Sequence, residues 1–125
     1  MIHHLSLGSD DLDRSRAFYD PLMRELGLRL IKRSDRILAY GLTEVLFSLE
    51  RPSDGGKATA GNGSHVAFHA GHRNTVDACH KAGTANGGSC EGPPGIRAQY
   101  DPHYYAAYLR DPDGHKIEIV TFAAD

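Results

Sequence analysis

His65-Val66-Ala67-Phe68-His69 alternates polar and apolar side chains with a period of two, as a strand does when one of its faces lies on a core. The same alternation occurs at Ile2-His3-His4-Leu5-Ser6-Leu7 and at Lys116-Ile117-Glu118-Ile119-Val120. Leu5 and Leu7, Val66 and Phe68, and Ile117 and Ile119 take the core side, so His4, His65 and Glu118 point the other way. Two imidazoles and one carboxylate reaching a common point make a ligand set that leaves positions on a divalent ion open for substrate. Each residue also has a plainer reading. A lone strand histidine is often a surface or hydrogen-bonded residue, and Glu118 also suits a solvated groove. Taken together in one phase the three favour a cation, because burying them without one is costly.

The elements around these strands recur in a fixed order. Asp10 or Asp11 caps a helix whose Phe18, Leu22 and Leu26 fall four apart and stack on one face, and Gly27 suits its end. Pro21 removes a backbone donor inside that pattern, which predicts a kink or local break. Strand-like runs follow at residues 28–33, 37–41 and 44–49. Residues 51–64, rich in Pro, Ser, Gly and Asn, read as a connection. The order then returns: a strand at 65–70, a weaker helix at 74–85 ending at Gly87-Gly88, a short extended piece near Ser89, and strands at 104–110 and 115–122. The last two flank Asp111-Pro112-Asp113-Gly114, a tight turn read as structural, while residues 91–103 stay irregular and suit a lid or a pocket wall.

The expected fold is therefore α+β: two paired βαβββ modules forming a cupped mixed sheet with helices on its outer face. It is one domain over residues 1–125, with module one at about 1–52, a linker at about 53–63 and module two at about 64–125. The cavity face of the fourth strand would carry Leu46, Ser48 and Glu50. On the seventh strand Tyr104 and Tyr108 are assigned to the cavity, although Tyr105 makes the phase ambiguous by pattern alone. Phenols there suit a small-molecule site.

At 125 residues the chain can bury roughly two thirds of its unfolded surface and needs no staples. The net charge of -2, from 14 basic and 16 acidic residues well mixed, gives no reason to expect nucleic acid or an anionic membrane as a partner. No apolar run approaches a membrane span, and Met1-Ile2-His3-His4 does not read as a secretory signal, so a cytoplasmic location is expected. Cys79 and Cys90 lack the spacing of zinc or redox sites and read as reduced bystanders. The Gly-rich linker lacks the G-x-x-x-x-G-K spacing of a phosphate loop.

Three segments carry a further likeness: residues 4–19, from His4-Leu5-Ser6-Leu7 to Ala17-Phe18-Tyr19; Gly63-Ser64-His65-Val66-Ala67-Phe68; and Asp111-Pro112-Asp113-Gly114-His115-Lys116-Ile117-Glu118. Through them the chain resembles the vicinal oxygen chelate superfamily, the group of glyoxalases, bleomycin-resistance proteins and extradiol dioxygenases. The resemblance implies paired βαβββ modules, a metal held in the cup, often at a dimer interface, and His4, His65 and Glu118 at three ligand positions. It also implies a homodimer. A fourth carboxylate found in glyoxalase I enzymes falls here at Ser48, which speaks against lactoylglutathione lyase activity. Segment 100–108 is similar to one common in small glyoxalase-like proteins.

These readings lead to a glyoxalase-like metalloenzyme of lyase or isomerase type. One divalent ion, Zn, Ni, Mn or Fe, would act as Lewis acid on a small oxygen-bearing substrate. Glu118, His103 and Tyr104 are the candidate proton-handling groups, and Ser48, Tyr108 and Arg97 the candidate pocket residues; Arg97 and Lys116 are the nearest candidates for the basic set that a resemblance to phosphonate-using thiol transferases implies. The alternatives are a metal-free drug- or metabolite-binding protein of bleomycin-resistance type, an extradiol Fe(II) dioxygenase and a thiol transferase. A register slip exchanging His3 for His4 stays open.

Overall fold

The computed structural model describes residues 1–125. Strand β1 (Leu5–Gly8), helix α1 (Leu12–Glu25) and strands β2 (Arg29–Arg33), β3 (Ile37–Gly41) and β4 (Val45–Glu50) form module one. Module two repeats the order with β5 (His65–His69), α2 (Arg73–Ala85), β6 (Ser89–Ile96), β7 (Tyr105–Arg110) and β8 (Lys116–Thr121). Each module makes a four-stranded mixed sheet, β1-β4-β3-β2 in one and β5-β8-β7-β6 in the other. The β1–β4 and β5–β8 ladders are parallel, and the remaining ladders are antiparallel. No helix is long and apolar enough to cross a membrane.

Asp11 is the residue that caps α1, accepting from the Arg14 amide at 3.1 Å. The helix ends in a left-handed Gly27 (φ 82°), with the Leu28 amide donating to Met23 O and the Gly27 amide to Arg24 O. Pro21 does not break the helix, contrary to the sequence expectation: α1 runs unbroken from Leu12 to Glu25. Phe18, Tyr19, Leu22 and Met23 on either side of it are fully buried. Their packing outweighs one missing backbone bond. A second correction concerns residues 89–96. They form a strand paired to β7 although Pro93-Pro94 lie within it, because register shifts at 90–92 and 92–95 accommodate the missing donors.

Both helices and the apolar faces of both sheets contribute to a single core of 16 buried residues. Phe47 of β4 meets Phe68 of β5 edge-on with ring centroids 5.1 Å apart, so the core is continuous across the module boundary. Helix α2 and the turn that follows it lie close to their neighbours at two glycines. A Cβ on Gly83 would fall 2.6 Å from Leu109 Cδ1, and one on Gly88 would collide with the Phe18 ring.

The Asp-Pro-Asp-Gly turn between β7 and β8 reaches over to module one. Asp111, buried, accepts from the Tyr19 hydroxyl at 2.6 Å. Asp113 accepts from the Asp10 amide (3.1 Å), Arg14 Nη2 (2.9 Å) and Ser15 Oγ (3.2 Å), and His115 Nε2 donates to Gly8 O at 2.7 Å. Burial raises the pKa of Asp111 against the lowering effect of its Tyr19 bond, and Tyr19 is itself pushed well up, first by burial and then by Asp111.

Candidate functional site

Backbone alternation places His65 on β5 and Glu118 on β8 on the sheet face turned away from the core. His65 Nε2 and Glu118 Oε1 are 3.1 Å apart. The Glu118 side chain is only 3% exposed, while that of His65 is 46% exposed. A nearly buried carboxylate is therefore bonded to an imidazole that solvent still reaches. The Tyr104 hydroxyl donates a short hydrogen bond to the other oxygen, Oε2. Burial and this Glu118 contact raise the Tyr104 pKa, so the phenol keeps its proton and acts as a donor.

Tyr108 sits directly opposite Glu118 in the β7–β8 ladder. Burial, then the Glu118 charge, raises its pKa as well. With Arg97, Gln99 and Lys116 these residues line a cavity of about 460 Å³. The Tyr104 ring contacts Tyr100 on one side and Phe122 on the other, with centroids 5.1 and 5.3 Å apart. One wall of the cavity is thus aromatic, supplied partly by the 91–103 segment, which acts as a wall.

His4 and Ser48 stand elsewhere. His4 lies just before β1, exposed, with its Nδ1 2.8 Å from His3 Nδ1. It lines a second cavity with Ser48 and Glu50. The chain alone gathers no three His, Cys, Asp or Glu side chains around one point. His65 and Glu118 are thus brought together, and His4 is not brought to them. Tyr104, Tyr108 and Arg97 share the cavity of His65 and Glu118. His103 does not line it; its amide donates to Asp101 Oδ1 on the surface.

The two modules compare position by position. Counting two residues on from each histidine gives Ser6 and Ala67, whose ladder partners are Ser48 and Glu118. Ser48 therefore stands where module two has its carboxylate. Ser48 Oγ donates to Glu50 Oε2 at 2.9 Å, so a carboxylate from one pleat further along β4 leans back toward this position. Strand alternation had put Glu50 on this face, but only the hydrogen bond reveals where its carboxylate goes.

Whether the donors fit a divalent ion can be judged from their spacing. Metal bonds of about 2.0–2.2 Å place neighbouring ligand atoms roughly 2.8–3.6 Å apart, from octahedral to tetrahedral angles, and His65 Nε2 and Glu118 Oε1 are 3.1 Å apart. Half exposure of His65 leaves the ion an approach. The Tyr104 bond fixes one carboxylate oxygen and leaves the other toward the imidazole, an outer-shell arrangement that orients a ligand. Two donors of a set thus fit; the second carboxylate of the cavity, Glu91, is engaged by Arg110.

Comparisons with known proteins converge on one group. The family model described as Glyoxalase/Bleomycin resistance protein/Dioxygenase superfamily matches residues 1–119. A solved glyoxalase/bleomycin resistance protein from Albidiferax ferrireducens T118 is 41% identical, with a TM-score of 0.86 over 97% of this chain and 98% of that one. A glyoxalase-related enzyme from Fulvimarina pelagi is similar in fold, at 24% identity and TM-score 0.73, over 97% of this chain and 87% of that one. A glyoxalase I variant from Zea mays aligns with 95% of this chain but 45% of its own length, at 24% identity and TM-score 0.73. The search of curated proteins finds no match.

Proposed function

The chain belongs to the glyoxalase/bleomycin resistance protein/dioxygenase superfamily, and from that premise we propose that it is a glyoxalase-like metalloenzyme acting on a small oxygen-bearing substrate in lyase or isomerase chemistry. The observation that carries this reading is the His65 Nε2 to Glu118 Oε1 pair, spaced as ligands are and backed by the Tyr104 hydroxyl. The proposed ligand set is His65 and Glu118 of one copy with His4 of a second copy, in a homodimer that closes module one of one chain over module two of the other. Glu50, drawn in by Ser48, is a carboxylate of the cavity that His4 lines. Exposed apolar side chains on both modules, Ile2, Leu42 and Leu46 on one and Ile96, Tyr100 and Phe122 on the other, support such a closure.

A divalent ion of the Zn, Ni, Mn or Fe class would supply Lewis-acid stabilisation of negative charge on a substrate oxygen. The residues do the rest. Tyr104 holds its proton on Oη and keeps Glu118 aligned through Oε2, while Glu118 Oε1, once released from the ion, is the position from which a proton would be exchanged with substrate. Tyr100 and Tyr104 form an aromatic wall on one side of the cavity, backed by Phe122. That wall also favours a second reading, a metal-free binder of flat ligands. Metal content separates the two.

The test is complementation. His4→Ala and His65→Ala proteins should each bind little Mn(II), and a mixture of the two, unfolded and refolded together, should regain binding in its mixed dimers. Those dimers hold one intact site and one doubly broken site. No recovery would reject the shared site, wild-type metal content in His65→Ala would reject His65 as a ligand, and a wild-type protein that binds no Mn(II) would favour the metal-free binder.

A further inference from the structure

Two cations in the module-two cavity have no carboxylate partner. The Arg97 guanidinium carbon lies 5.4 Å and Lys116 Nζ 5.2 Å from the centroid of the same ring, Tyr108. Neither residue forms an ion pair within 4.0 Å, although two carboxylates share the cavity. Those two are already engaged: Glu91 accepts from Arg110 Nε and Nη2, and Glu118 is bonded to His65 and Tyr104.

Arg97 is seated, not loose. Its Nη2 donates to Pro93 O at 2.6 Å. A Cβ on Gly92 would stand 3.2 Å from Arg97 Nη2, and a Cβ on Gly95 3.2 Å from Nη1. The two glycines form a saddle in β6 over which the guanidinium lies, and side chains at either would crowd it. Lys116 is fixed by its own strand, two residues before Glu118. Because Tyr108 faces Glu118 across the ladder, the cations stand beside the same ring that borders the candidate metal ligands.

We propose that Arg97 and Lys116 form an anion clamp, which makes the substrate class a small molecule with a carboxylate or a phosphate or phosphonate group at one end. A guanidinium that offers paired donors and an ammonium acting as a point charge recognise that chemistry together. The clamp holds the charged end, and the oxygens at the other end reach the His65 and Glu118 side of the cavity; this second half rests on the metal reading above. Stacking on Tyr108 keeps the cations in place while leaving their outer donors free.

The experiment is calorimetric titration of metal-free protein with inorganic phosphate, and separately with acetate, at constant ionic strength. Wild-type protein should bind at least one of the two, and the stronger of them identifies the anion source. Arg97→Ala and Lys116→Ala should each weaken that binding by tenfold or more, and Arg97→Lys should recover part of the loss. Arg24→Ala, on the distant helix α1, should change nothing. Lys116→Gln replaces Lys116→Ala should the latter melt early. Absence of anion binding in the wild type, or binding as tight as the wild type in either cavity variant, overturns the clamp. Mn(II) titration of the same proteins keeps the two readings apart: Arg97→Ala should bind Mn(II) as the wild type does, whereas loss of the metal reading would show as wild-type protein that binds anion and no Mn(II).

Discussion

Ser48 occupies in β4 the register position that Glu118 occupies in β8: one lies across from Ser6, the other across from Ala67. The internal repeat is therefore kept in backbone and broken in chemistry at this pair. Placing a carboxylate back at the position, Ser48→Glu, should raise Mn(II) or Zn(II) affinity by on the order of tenfold, equivalent to about 1.4 kcal/mol. Titration calorimetry reads it directly. Unchanged affinity would mean that the module-one face lies outside the coordination sphere.

Tyr104 touches Glu118 and holds it. Tyr104→Phe removes that donor and keeps the ring that packs between Tyr100 and Phe122. Metal affinity should drop by roughly tenfold, the lower end of what outer-shell partners contribute, while the thermal midpoint stays close to the wild type. A variant with full affinity would reduce Tyr104 to wall material.

Tyr19 and Asp111 bind the modules together from within. Tyr19→Phe leaves a buried carboxylate without its side-chain donor, and the expected loss is about 1–3 kcal/mol in denaturant unfolding. His65 and Glu118 lie on the other face of the sheet, so Mn(II) binding by the folded fraction should persist. Loss of binding without loss of stability would contradict this division.

Alkaline pH should loosen the fold. Burial raises the Cys79 thiol from an ordinary 9.0 to about 12, and burial likewise raises Tyr19 and Tyr40. In each case the folded state holds its proton longer than the unfolded chain does. Stability from these groups is thus complete below their unfolded pKa values and declines as pH rises toward the folded ones. For Cys79 the window runs from about 9 to about 12, and the contribution is on the order of a few kcal/mol at most. Cys79→Ala should show a shallower decline over that window, as followed by urea unfolding at stepped pH. The exposed Cys90 should react with a thiol reagent near pH 8 while Cys79 does not.

Much of this was readable in advance because side-chain direction in a strand is a local property. Period-two alternation at Leu5, Val66 and Ile117 was enough to assign a face to His4, His65 and Glu118. What alternation cannot tell is which faces meet, since that depends on how helices and sheets pack at long range. His4 therefore shares a face type with His65 but not a cavity. The same limit explains other gaps. Pro21 and Pro93-Pro94 signal lost hydrogen bonds locally, whereas the packing around Phe18 and the register shifts of β6 that absorb those losses are tertiary. Asp111 and Asp113 read as turn formers, and only the folded chain brings Tyr19 and Arg14 to them from about a hundred residues away.

One shared core has a practical consequence for anyone who wishes to take the protein apart. Residues from both halves interlock at Phe47 and Phe68 and at the glycine contacts of α2, so neither half, expressed by itself, has a closed interior to fold around. A chain nicked by protease between Pro52 and Ser64 should nonetheless stay associated and melt in one transition, the two pieces behaving as a noncovalent heterodimer of fragments.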